Sequence, residues 1–200
     1  MSQSAENKGR PRRVRNVTAR SLENVALHYL QRFSASSANL RKVLLRRIER
    51  ARHAEAAVAE DAEAAIETII AKFQRLGLID DAAYAAGKAT SLRRRGTSRR
   101  FIGGKLRLAG IDPDGIEQAL EVADAELRPP TEPADQGPDA ELRAALRLAE
   151  RRRLGPYRAT ADREERRQRD MAALARAGFG YDVARKVIDA EDPEALLADV

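Results

Sequence analysis

The sequence predicts an all-α protein, an elongated tandem repeat of three short three-helix units. Three observations carry this prediction. The 200 residues are rich in Ala, Leu and Arg, with aromatic residues at 4% and no tryptophan, a composition that favours helix over strand. Apolar residues recur at helical spacing from Leu22 onward, and Ser, Asp-Pro and Gly signals stand where helices begin and end. The run Leu106-Arg-Leu-Ala-Gly110-Ile111-Asp-Pro-Asp114 aligns with Leu174-Ala-Arg-Ala-Gly178-Phe179-Gly-Tyr-Asp182, 68 residues later, and the match continues with Leu120 on Ile188 and Asp124 on Asp192. Units this small bury their apolar faces poorly alone, so neighbours are expected to pack end to end.

Residues 1–20 hold six bases against one acid and read as a disordered basic arm. Behind a Ser21 cap, Leu22, Val25, Ala26, Tyr29, Leu30 and Phe33 form one apolar stripe. Ser36 caps a second helix with Leu40, Val43, Leu44 and Ile48, and a third carries Ile66, Ile69, Ile70, Phe73 and Leu76. The first unit therefore spans 21–76, and Gly77 supplies a left-handed stop.

The second unit spans 77–127. Its first helix is capped by Asp80 or Asp81, holds Tyr84, Ala85 and Leu92, and stops at Gly96. The next is capped by Thr97 or Ser98 and carries Ile102 and Leu106 to Gly110. Asp112-Pro113 opens the last, with Ile116, Ala119, Leu120 and Ala123. Residues 128–138 contain four of the eight prolines and form a linker. The third unit, 139–192, has helices over about 139–154, 160–177 and 182–190, and a tail covers 193–200.

The absence of cysteine excludes disulfides, thiolate metal sites and cysteine nucleophiles. No apolar run approaches the roughly 20 residues needed to cross a membrane. The basic N-terminus lacks the apolar segment of a secretory signal, so we expect a cytoplasmic protein. His28 and His53 have no metal-ligand spacing, and the Asp80-Asp81 pair stands where a helix cap is needed. The glycines at 103–104 and 178–180 lack a P-loop lysine and strand. No catalytic, metal or cofactor site is expected.

The positive signal is charge. Residues 93–111 hold seven bases and no acid: Arg93, Arg94, Arg95, Arg99, Arg100, Lys105 and Arg107. Residues 112–142 hold ten acids and one base, and residues 143–169 are basic again, with ten bases and four acids. Favourable interaction with a helix C-terminus accounts for Arg93 to Arg95 but not for Arg99 and Arg100, which open the next helix at its positive end. Seven mutually repelling cations call for an anionic counterpart, a phosphate or an acidic protein surface. A second cluster, Arg151, Arg152, Arg153 and Arg158 beside Tyr157, is partly offset by Glu150 and Glu164. The scarcity of aromatic residues speaks against base stacking on single strands.

These same residues resemble the RecX family of regulatory proteins. The likeness covers about residues 22–190 and opens with Ala26-Leu27-x-x-Leu30-x-Arg32 and the Ser36…Leu40…Leu44 run. Its more specific element is Gly77-Leu78-Ile79-Asp80-Asp81-x-x-Tyr84-Ala85. It continues through Arg94, Gly96, Arg100, Ile102, Leu106, Gly110 and Ile111 to Leu174-x-x-x-Gly178-Phe179-x-Tyr181. Asn39 stands where the family's second helix carries Glu, and residues 50–62 are expanded.

The resemblance implies a non-enzymatic, monomeric protein that binds filaments of the RecA recombinase and lowers their ATP hydrolysis and strand exchange. It implies contact with the filament or its DNA. The alternative reading is a DNA-binding protein with helix-turn-helix-like units. The helix over 98–109 offers Arg99, Arg100, Lys105 and Arg107 but no Asn or Gln, which suits phosphate contact better than base readout.

Overall fold

The structure, a computed structural model, describes residues 16–128, 140–159 and 162–198. Most of the arm expected over 1–20 and nearly all of the linker expected over 128–138 lie outside the described residues. Ten α-helices and no strand are found among them. The chain divides into two compact units, residues 1–79 and 80–200.

The first compact unit is a three-helix bundle of α1 (Ala19–Leu30), α2 (Ser37–His53) and α3 (Ala62–Arg75). The cap of α1 is Thr18, not Ser21 as the spacing predicts. Thr18 N–H donates to Ser21 Oγ at 2.9 Å and Ser21 N–H donates to Thr18 Oγ1 at 3.3 Å. This reciprocal box satisfies two orphan donors where a Ser21 cap would satisfy one. The helix thus begins inside the segment assigned to the basic arm. Val17, just before the cap, is fully buried. Its N–H donates to Ala57 O at 2.8 Å, and Ala59 N–H donates back to Val17 O at 2.9 Å. The expanded stretch 50–62 therefore carries the segment that pins the start of α1.

Leu22, Ala26, Leu40, Leu44, Ile48, Ile66, Ile70 and Phe73 fill this core. Phe33 and Leu76, expected in the apolar stripes, fall beyond the ends of α1 and α3 and are 49% and 62% exposed. Ser36 Oγ caps α2 as predicted, accepting from Asn39 N–H.

The second compact unit holds two more bundles. One comprises α4 (Asp81–Arg94), α5 (Arg99–Leu108) and α6 (Pro113–Glu126); the other comprises α7 (Ala140–Arg152), α8 (Arg163–Arg176) and α9 (Tyr181–Asp189). Asp80, Ser98 and Asp112 are the caps of α4, α5 and α6, each accepting from the backbone three residues on. The first helical residues of α6 and α9 lie 68 positions apart, the offset of the sequence repeat. The repeat-matched Leu106 and Leu174, and Leu120 and Ile188, are buried in their respective cores. The tail expected over 193–200 is helical in part: α10 (Pro193–Ala198) rests Leu196 on the third core.

These bundles meet closely at the turn between α4 and α5. Gly96, at φ 69°, turns the chain from α4 into α5. A Cβ there would stand 2.6 Å from Ala144 O and Leu148 N, so the turn lies directly on the backbone of α7. Two residues on, Ser98 Oγ accepts from Phe101 N–H and donates to Ala177 O at 2.7 Å, tying the cap of α5 to the end of α8.

Between the bundles lies Arg93, 1% exposed. Its Nε donates to Asp124 Oδ1 on α6 at 2.6 Å, and its Nη1 donates to Glu141 Oε2 on α7 at 2.7 Å and to Thr97 O at 3.1 Å. Glu141 also accepts from Arg99 N–H, and Asp124 from the Arg99 side chain.

Four variants are read by urea unfolding with circular dichroism. Gly96→Ala, strained at positive φ and blocked by backbone, lowers stability by at least about 2 kcal/mol. Gly87→Ala, with no atom within 4 Å of its new Cβ, raises it by about 0.5–1 kcal/mol. Arg93→Ala leaves two carboxylates short of their buried partner and costs about 3 kcal/mol. Arg93→Lys, which lacks the planar fork, recovers only part of that loss.

Candidate functional site

The eleven basic residues singled out from the sequence separate into two groups in space. Arg93 is corrected outright: it is buried, and its guanidinium cannot meet a partner's surface. Arg99 pairs with Glu117 and Asp124, and Arg94 Nη2 donates to Glu126 Oε1 at 2.7 Å. Arg158 holds Asp170 with both arms of its fork, Nε to Oδ2 at 3.1 Å and Nη2 to Oδ1 at 2.8 Å. That hydrogen bond raises the Arg158 pKa above its usual range against an opposing effect of burial. Asp170, 1% exposed, also accepts from Gly155 N–H at 2.9 Å, so this pair braces the turn after α7.

The anionic counterpart demanded by the seven-cation block is therefore partly internal. Asp124, Glu126 and Glu117 come from α6 and Glu141 from α7, all within the acidic block 112–142. Crowding of like charge persists beside them. Arg147 is held below the usual guanidinium range, first by burial and then by the charges of Arg93 and Arg143.

The other seven, Arg95, Arg100, Lys105, Arg107, Arg151, Arg152 and Arg153, are exposed. None of them has an ion pair among the described residues. They sit on the same compact unit, at the end of α4, along α5 and at the end of α7. Four of the seven, Arg100, Lys105, Arg151 and Arg152, line two adjoining clefts. The first, of about 230 Å³, has Thr97, Phe101, Arg151, Arg152 and Arg176 in its walls. The second, of about 490 Å³, is formed by Arg100, Phe101, Lys105, Leu108 and Arg176. Phe101 and Arg176 belong to both.

Sequence reasoning missed Phe101, Thr97 and Arg176. A helical wheel would have found the first. Phe101, Lys105 and Leu108 fall on one side of α5, away from buried Ile102 and Leu106, and Phe101 is 44% exposed with Lys105 Nζ 4.9 Å over its ring. Arg176 is the repeat counterpart of Leu108, 68 residues on, and the fold returns both to one cleft. Tyr157, read beside the second basic cluster, instead packs on the third core, where burial raises its pKa.

His28 and His53 are both exposed. Among the described residues no group of three or more His, Cys, Asp or Glu side chains is placed to hold a metal ion. No described helix is long and apolar enough to cross a membrane.

Comparison with known proteins bears on the fold and the family. Residues 80–120, which hold α4, α5 and the start of α6, match the family model described as RecX, second three-helix domain. A regulatory protein RecX of Myxococcus xanthus is 44% identical over 180 residues, 90% of either chain. One of Agrobacterium fabrum is 32% identical over 123 residues, 60% of this chain and 58% of that one. Two crystal structures share the fold. That of a regulatory protein RecX has a TM-score of 0.57 at 23% identity, covering 86% of this chain and 72% of the other. That of RecX from Lactobacillus salivarius has 0.56 at 21%, covering 85% and 94%. The bundles repeated at a 68-residue offset, the helices of the matched second domain and an identity sustained over nine-tenths of a relative place this chain in the RecX family of regulatory proteins.

Proposed function

We propose that this chain binds filaments of the RecA recombinase in the cytoplasm, as a monomer, and lowers their ATP hydrolysis and strand exchange, touching the DNA within the filament. RecA is the partner that the family resemblance implies. One observation carries the reading to a surface: seven exposed cations without ion pairs among the described residues, on adjoining bundles of one compact unit. A nucleoprotein filament is a dense polyanion, and such a surface gains affinity by releasing its counterions. The ATPase belongs to RecA in this reading, and this chain contributes contacts only.

Binding to bare DNA is the second reading, favoured by the exposed side of α5. It presents Arg100, Lys105 and Arg107, donors suited to phosphates rather than base edges. The two readings part on one measurement.

DNA-dependent ATP hydrolysis by the same organism's RecA, titrated with this protein at physiological salt, should fall at well below one protein per RecA monomer. The combined variant Arg100→Glu, Lys105→Glu, Arg151→Glu, Arg152→Glu should require at least about tenfold more protein for the same fall, since each lost phosphate contact weakens binding at physiological salt. Its circular dichroism should be unchanged. An ATPase that stays constant beside tight binding to bare duplex selects the second reading.

A further inference from the structure

We infer that the two adjoining clefts around Phe101 hold a short stretch of single-stranded nucleic acid, one base stacked on Phe101 and the flanking phosphates on Arg100, Arg151, Arg152 and Arg176. This deepens the DNA contact in the proposed function by naming the strand and the residues that take it.

Three observations converge on it. Phe101 is 44% exposed on a helix whose core positions Ile102 and Leu106 are fully buried. An isolated exposed aromatic needs no explanation, but this ring is the shared wall of both clefts, with the Lys105 ammonium 4.9 Å from its centroid. Cations surround it. Arg100, Lys105, Arg151, Arg152 and Arg176 line the two clefts, and none has an ion pair among the described residues. The third observation concerns the composition of those walls: among the described residues no Asp, Glu, Asn or Gln side chain lines either cleft.

Apart from the Thr97 hydroxyl, the polar side chains described there can only donate. A polypeptide brings as many N–H donors as C=O acceptors, and those donors would face a wall almost without side-chain acceptors. A phosphodiester backbone brings acceptors and negative charge. Lacking Asn and Gln, the site would not read base edges, so binding should be independent of sequence. A duplex hides its base faces in the stack, so an aromatic wall selects the single strand. The larger cleft, about 490 Å³, is within the size range of pockets that take small ligands, about 300–1,000 Å³. The low aromatic content pointed away from stacking, but stacking needs one ring in the right place.

The test uses the full chain without RecA and a fluorescein-labelled oligo-dT of about 16 nucleotides, followed by anisotropy. Phe101→Ala should weaken binding about tenfold with helicity and melting temperature unchanged, and Phe101→Trp should bind at least as tightly as the natural chain. Arg151→Glu with Arg176→Glu should weaken binding and flatten its salt dependence. A duplex of equal length should bind more weakly and be indifferent to Phe101→Ala. The inference is overturned if Phe101→Ala binds the strand normally. Equal losses for strand and duplex, or displacement of oligo-dT by polyglutamate at equal charge, would overturn it as well. The RecA ATPase titration is independent of this result. Inhibition without strand binding sinks the strand site alone, and strand binding without inhibition sinks the filament reading alone.

Discussion

The arrangement of the second and third bundles depends on one buried guanidinium. Arg93 is desolvated almost completely, a state that costs several kcal/mol unless well-placed carboxylates answer it. The two that do come from different helices, Asp124 on α6 and Glu141 on α7. Neither bundle supplies both, so the two carboxylates meet the charge together only when α7 lies against the α4–α6 pair. Three residues further on, Gly96 brings the chain so close to α7 that no Cβ fits. Polar satisfaction and close packing thus fix the same junction.

The surface of the second compact unit follows from that junction. Once the α4–α5 turn is seated on α7, α5 buries Ile102 and Leu106 in its own core and leaves Phe101, Lys105 and Leu108 on the side facing the ends of α7 and α8. Ser98 holds the register, since one hydroxyl both caps α5 and bonds the last turn of α8. The clefts are therefore a property of two bundles together. Arg151, Arg152 and Arg176 reach Phe101 only because the third bundle is docked.

Charge blocks that alternate along the chain read as separate faces, each seeking its own partner. In space part of that alternation is self-neutralising. The acidic run after Gly110 lies back over the basic run before it, and Arg93, Arg94 and Arg99 find their counterions 18 to 48 residues away. Arg158, answered by a buried aspartate on the next helix, follows the same rule. The repeat shows the limit of alignment too. Asp124 and Asp192 are matched positions, yet one binds the buried arginine and the other accepts from Glu194 N–H at the start of α10. Backbone and apolar positions repeat, whereas polar roles depend on what packs alongside.

The sequence by itself determined the all-α class, the caps at Ser36 and Asp112, the glycine stops, the repeat and the family resemblance. These rest on spacing and on local backbone chemistry, which act within a few residues. It erred by three residues at Thr18, where two hydroxyls at capping distance gave equal local signals and a reciprocal bond chose between them. Only tertiary structure decided which arginines are structural. Arg93 and Arg95 stand two residues apart with the same side chain and the same intrinsic propensity. One faces the third bundle and is buried, and the other faces solvent. Burial, ion pairing and the meeting of Phe101 with Arg176 are set by contacts across tens of residues, which no local pattern encodes.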